Sequence, residues 1–379
     1  MKPGKPYVTE LLFWKYGSIL IWVLVILGFY LSYRLHKYLE RKHLLSTQTI
    51  RTNIGEPYLM EDSISPLSVT LTSDRPNENG GLSYLKGNTH KKNIEMIHDT
   101  YKQYGIQLPK DTKIIFGAGT TVMVAALYYA LQKKLNRSIV VTTNTNVFYT
   151  LHKHITEIVP NVTWKTNTTH GDLAVIVSPS NPLGIVTSPT ELREPYKLFD
   201  IVYDKNIFTG VHKSVNEEMY REFEHDDTIY ITSSFSKFGL AGVRFGYLLT
   251  RDPVIAEYCI EYVNYTSVRY PTAAGTITRT AYYKYFRNQS WQDNIYNTLV
   301  YRREFFYRHS EKHGISILNK NNKDYVPYIY TDKSVEWWKK KFNVCTRNGT
   351  DFNDTDEHSR FNLMISQDVW EEFERRFVS

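Results

Sequence analysis

The residues with the clearest chemistry lie between Tyr230 and Thr250, in YITSSFSKFGLAGVRFGYLLT. A serine- and glycine-rich loop there carries one lysine, Lys237, and Arg244 follows seven residues later. The hydroxyls of Ser234 and Ser236 and the guanidinium of Arg244 suit a dianionic phosphate, which a planar fork of donors grips well. A lysine amine beside such a group forms a Schiff base with a carbonyl. The pattern predicts an enzyme that holds a phosphorylated aldehyde on Lys237. The opposing reading is a solvated loop lysine, the ordinary condition of that residue.

Two β-rich runs, Thr228 to Thr232 and Phe245 to Leu249, bracket the loop. S-x-S-K followed by G-x-A-G-x-R-x-G-Y resembles the cofactor-lysine motif of the fold-type-I pyridoxal-phosphate (PLP) enzymes, the aminotransferase superfamily. Upstream, NIGEPYLME (Asn53 to Glu61) resembles a G-D-P-T-M-x-E segment of alliinases and plant tryptophan-aminotransferase-related proteins, and LSYLKG (Leu82 to Gly87) resembles their S-Y segment. The resemblance implies PLP as cofactor and an α/β fold: a mainly parallel seven-stranded sheet with a smaller α+β C-terminal domain. It also implies a homodimer with the site at the interface, where Tyr84 would reach the partner's phosphate.

Other segments follow in the order this family expects. KIIFGAGTTVMVAALYYALQKK (Lys113 to Lys134) reads as a short strand, a glycine turn and a helix from about Val122. Backbone N–H groups at such a helix start favour an anion, which makes Ala118, Gly119 and Thr120 candidates for the cofactor phosphate. SIVVT (Ser138 to Thr142) reads as a buried strand, and the following TNTNVFYTL offers Phe148 or Tyr149 to stack on the pyridine ring. AVIVSPSNPLGIV (Ala174 to Val186) runs from a strand into N-P-x-G, where Pro182 holds Asn181 extended. The resemblance gives Asn181 the phenolic oxygen of the cofactor. In DIVYDKNIF (Asp200 to Phe208) a strand ends in Asp204, read as the carboxylate paired with the pyridine nitrogen. The family's D-x-A-Y carries a tyrosine, and counted from Asp204 this chain has Ile207 in its place. Finally, in WWKKKFNVCTRNGTDFNDTDEHSRFNLMIS (Trp337 to Ser366), Arg360 matches the arginine that clamps a substrate carboxylate.

At 379 residues the chain is long enough for a large core. Its net charge of +7 is concentrated in residues 1–45, which hold seven Lys or Arg against two Glu, so no nucleic-acid patch is implied. Cys259 and Cys345 make neither a disulfide framework nor a metal-ligand spacing. Tyr16 to Tyr33 is free of charge, is flanked by Lys15 and Arg34, and predicts a single transmembrane helix. The expected division is a leader at 1–15, the anchor at 16–33, a basic linker at 34–51, a large PLP-binding domain at 52–270 and a small domain at 271–379. Positive-inside counting places the catalytic part on the cytosolic side. Seven Asn-x-Ser/Thr sequons, at Asn136, Asn161, Asn167, Asn264, Asn288, Asn348 and Asn353, point the other way.

The expected activity is transamination of an L-amino acid and a 2-oxo acid, with Lys237 as Schiff-base lysine and general base and Arg360 as carboxylate clamp. A C–S lyase of alliinase type is the alternative. A membrane-tethered scaffold with weakened chemistry is a third, suggested by Ile207 and the altered aromatic segment.

Overall fold

The structure is a computed structural model that describes residues 7–71, 91–143, 150–166, 170–210, 213–266 and 272–379, with the side chains of 7–22, 150–151 and 322–324 also left aside. Two compact units result, Met1–Ile50 and Arg51–Ser379.

The first unit is essentially one helix, α1 (Tyr7–Thr47). Among the described residues no helix is long and apolar enough to cross a membrane, which corrects the single-pass anchor and its cytosolic orientation. From Arg34 onward the helix is charged and solvated, with Lys37 paired to Glu40 at 3.1 Å and both side chains exposed.

The second unit is built on a seven-stranded sheet. Its strands are β1 (Lys113–Gly117), β2 (Ile139–Thr143), β3 (Val162–Thr166), β4 (Leu173–Val177), β5 (Tyr196–Asp200), β6 (Ile229–Ser234) and β7 (Gly246–Thr250). Their spatial order is β1-β7-β6-β5-β4-β2-β3. Pairing is parallel from β3 through β6, and only β7 runs against its neighbours β6 and β1. The central strands have both faces covered, so LAVIV in β4 is buried at every position, as parallel strands between helix layers are. After the helices α2 (Tyr58–Ile64) and α3 (Lys91–Gln103), on one face of the sheet α4 (Thr120–Leu135) buries Met123 through Tyr128, Ala130 and Leu131, packed with Ile255, Cys259 and Val263 of the helix Pro253–Thr266. With helix on one side and sheet on the other, α4 is apolar around most of its girth. Every parallel strand points its C-terminal end the same way, and ligands of such sheets bind outside those ends.

A three-stranded antiparallel sheet follows, in the order β9-β10-β8, from β8 (Tyr328–Thr331), β9 (Arg347–Asn348) and β10 (Ser359–Asn362). Alternation along β10 sets the direction of its side chains. Phe361 enters an aromatic core with Phe306, Trp338 and Phe373, so Arg360 faces the other way.

Candidate active site

A cavity of about 320 Å³ opens at the C-terminal ends of β4, β5 and β6 and at the start of α4. Thr120, Thr121, His152, Asn181, Asp200, Tyr203, Ser234, Ser236, Lys237 and Arg244 all contribute to its wall. All but His152 and Arg244 come from the ends of parallel strands, the loops that follow them or the turn into α4, which is why residues far apart in sequence meet.

One end is built for an anion. Gly119, at φ +81°, is the N-cap of α4 and no side chain caps it, so backbone donors of the first turn face outward. A Cβ on Gly119 would lie 2.6 Å from Nη2 of Arg244, so the guanidinium rests directly on the glycine turn. Gly246 is held just as tightly, since a Cβ there would come within 2.5 Å of the Gly119 carbonyl carbon. Arg244 itself takes the left-handed conformation at φ 56°, which turns its side chain back toward α4 from the start of β7. Ser234 Oγ donates to Ser236 Oγ at 3.0 Å beside it. Arg244, the two serines and the helix start form a cradle of positive and donor groups that fits a phosphate monoester. Ala118 does not line the cavity; its neighbours Thr120 and Thr121 do.

Lys237 follows β6 in a short 3₁₀ turn, Ser236–Phe238. Its Nζ donates to the Gly55 carbonyl oxygen and lies 5.8 Å from the Tyr203 ring centre. Gly55 belongs to a segment laid across β10. Asn362 Nδ2 donates to the carbonyls of Ile54 and Glu56, each at 2.9 Å, and Arg360 Nη2 donates to Asn53 O at 3.1 Å. The second arm of Arg360, Nη1, donates to Asn181 Oδ1 at 3.1 Å. Its guanidinium stacks 4.1 Å above the Tyr328 ring, and burial pushes its pKa below the ordinary arginine value, with Tyr328 and Tyr203 opposing. Asn181 Nδ2 in turn donates to the Tyr203 hydroxyl at 3.2 Å.

Asp204 stands apart from this group. Its carboxylate accepts from Ser214 Oγ, from Asn216 Nδ2 at 2.9 Å and from the Val215 N–H at 3.2 Å, and it does not line the cavity. Burial raises its pKa, with Asn216 and Ser214 pulling it back. The wall is supplied instead by Asp200, the last residue of β5, and by Tyr203. Asp200-Ile201-Val202-Tyr203 has the same D-x-x-Y spacing as the family motif that was counted from Asp204. His152 was missed altogether: its Nε2 lies 3.5 Å from Asp200 Oδ2. Tyr84, Phe148 and Tyr149 lie outside the described residues.

A parallel-centred seven-stranded sheet with one antiparallel strand, a lysine loop after β6 and a phosphate cradle at α4 define a fold-type-I PLP enzyme of the aminotransferase superfamily. The family described as Allinase matches residues 76–288, more than half of the chain, and the chain belongs to that family. No curated protein sequence matches it. Solved structures of similar fold include a Methanococcus jannaschii protein described as similar in its active site to kynurenine aminotransferases, at TM-score 0.66 and 19% identity over 90% of this chain and 95% of that one. N-Succinyldiaminopimelate aminotransferase of Mycobacterium tuberculosis gives 0.66 and 16% over 89% and 95%. YbdL of Escherichia coli, assigned a methionine aminotransferase function, gives 0.65 and 16% over 89% and 95%. The protein is thus a PLP-dependent enzyme, a transaminase or C–S lyase, and PLP is its cofactor.

Proposed function

We propose that the protein is an aminotransferase acting on an L-amino acid, with Lys237 as the lysine that bonds the cofactor and Arg360 as the clamp for the substrate carboxylate. One observation carries this reading: Lys237 Nζ and Arg360 Nη2 both lie within 4 Å of a single point beside the Gly55 Cα. An amino acid gripped by Arg360 would present its α-carbon to Lys237.

Gly119, Thr120, Ser234, Ser236 and Arg244 would hold the cofactor phosphate, with Asn181 and Tyr203 at its phenolic oxygen. Asp200 replaces Asp204 as the partner of the pyridine nitrogen, with His152 behind it. When bound, PLP supplies an electron sink for the charge left at the substrate α-carbon. Lys237 Nζ takes the α-proton as general base and returns it as general acid. Arg360 orients the carboxylate, so that proximity rather than acid strength does much of the work. Thr120 and Thr121 add donors at the phosphate end. A homodimer whose partner would contribute Tyr84, and the division at 52–270 and 271–379, belong to the same proposal.

The test is the visible spectrum of the full chain purified with PLP, beside Lys237→Ala. A coloured complex that borohydride fixes to Lys237, and that changes on addition of amino acids, is the expected result. A protein that ignores PLP would sink the reading. Membership of the Allinase family favours a second activity, C–S lysis. Products decide between them: a 2-oxo acid with the amino group passed to an acceptor, or ammonia with pyruvate.

A further inference from the structure

Tyr203 carries one proton, and where that proton points matters to any group placed at its oxygen. Two neighbours settle the geometry. Arg360 has only donors, so Nη1 at 3.1 Å must meet the oxygen of the Asn181 amide. The Asn181 nitrogen then faces Tyr203 and donates to its hydroxyl at 3.2 Å. The other neighbour is Tyr328, whose hydroxyl lies 2.8 Å from that of Tyr203, ring to ring at 5.5 Å and 76°. Both tyrosines are buried, at 5% and 0% exposure, so solvent does not complete their hydrogen bonds.

Either hydroxyl could donate in this pair, and the cation decides. The Arg360 guanidinium, 4.1 Å above the Tyr328 ring, draws electron density from that phenol and makes it the better donor. A Tyr203 oxygen that accepts from both Asn181 and Tyr328 keeps its own proton free for a third partner, and donors chained in this way strengthen one another.

We propose that Tyr328 is a positioning residue for the reaction: its hydroxyl donates to Tyr203 Oη and turns the Tyr203 proton toward the phenolic oxygen of the cofactor. The inference rests on the functional reading above. A donor on that oxygen draws off the negative charge that would otherwise hold a proton on the Lys237 nitrogen. Tyr328 therefore acts on Lys237 through Tyr203 and lowers the pH at which Lys237 becomes available as a base.

The experiment is a pH titration of the colour of the full, PLP-loaded chain, in the parent protein, Tyr328→Phe, Tyr203→Phe and the double variant. Phenylalanine keeps the ring beneath Arg360 and removes only the hydroxyl. Tyr328→Phe is expected to raise the midpoint by about half to one pH unit, about three- to tenfold in the equilibrium constant. Tyr203→Phe is expected to raise it further, and the double variant to match Tyr203→Phe alone. 3-Fluorotyrosine incorporated at position 328, a more acidic donor of nearly the same shape, is expected to move the midpoint down. A midpoint that stays put in Tyr328→Phe with cofactor bound would overturn the inference, as would an equal shift in the Tyr203→Phe background. A parent protein that forms no complex at Lys237 would overturn the functional reading itself and this inference with it.

Discussion

His152 Nε2 lies 3.5 Å from Asp200 Oδ2, with both side chains almost fully buried at the end of β5. Asp200 accepts from the Val202 N–H at 3.2 Å, which fixes one of its oxygens. A carboxylate so fixed keeps one geometry, as the proposed partner of a ring nitrogen must.

Asp200→Ala is expected to lower turnover by about a hundredfold or more, as loss of a group that stabilises developing charge does, with little change in the thermal midpoint. His152→Phe should lower it less and leave cofactor binding intact. Asp204→Asn should show the reverse pattern: near-normal turnover per folded molecule and a stability loss of about 1–3 kcal/mol from its broken buried hydrogen bonds. Steady-state rates and thermal melts on the three variants check this. Equal turnover in Asp200→Ala and the parent would return the role to Asp204.

Arg360 uses both arms of its guanidinium, on Asn181 and on Asn53 O, and stacks on Tyr328. A lysine reproduces the charge but neither the fork nor the stacking. Arg360→Lys is therefore expected to raise KM for the amino acid about 30-fold or more, equivalent to about 2 kcal/mol or more of lost binding, with a smaller fall in kcat. A substrate amine lacking the carboxylate should show no such difference between parent and variant. If both substrates lose affinity equally, Arg360 supports the wall and does not clamp.

The fold was legible because its signals are local. β-branched runs such as SIVVT and AVIVS, glycine turns and the lysine loop each read from a few adjacent residues, and their order narrowed the fold to one superfamily. Two parts of the site were not legible in this way. Asp200 and Asp204 are both buried carboxylates at the same strand end, and only the partners around Asp204, Ser214 and Asn216, show that its bonds are already made. His152 reaches Asp200 across 48 residues, a pairing that no periodicity announces. The transmembrane helix expected at 16–33 has no counterpart among the described residues, where no helix is long and apolar enough to cross a membrane.

Gly119 permits both its own φ of +81° and the approach of Arg244, and a methyl group denies both. Gly119→Ala costs about 1–3 kcal/mol for an L-residue forced into an essentially glycine-only backbone region, at φ 81° and ψ 175°, and must also displace the Arg244 guanidinium from the start of α4. PLP affinity is expected to fall tenfold or more, and the thermal midpoint of the PLP-free protein by a few degrees. Equilibrium dialysis with PLP separates the two effects. Unchanged affinity would place the phosphate elsewhere.

Lys205 is buried beneath the site, where its Nζ donates to Ser233 Oγ at 3.2 Å. Burial pushes its pKa down to about 8, against the pull of Asp204 and Asp200. In the unfolded chain the same amine titrates near 10.4. Between these values the unfolded state binds more protons than the folded one, so this lysine makes stability rise with pH from about 8 to about 10. Below pH 8 both states are protonated and its full cost is present. Lys205→Met removes the ammonium and keeps most of the volume, and replacing a buried charge in this way is commonly neutral or stabilising. The variant is expected to melt several degrees higher at pH 7 and to lose that part of the rise between pH 8 and 10. Melting curves across this range in parent and variant check the sign. A variant that melts lower at pH 7 and keeps the parent's slope would mean that the Lys205 charge is needed to hold Asp204 and Asp200 in place.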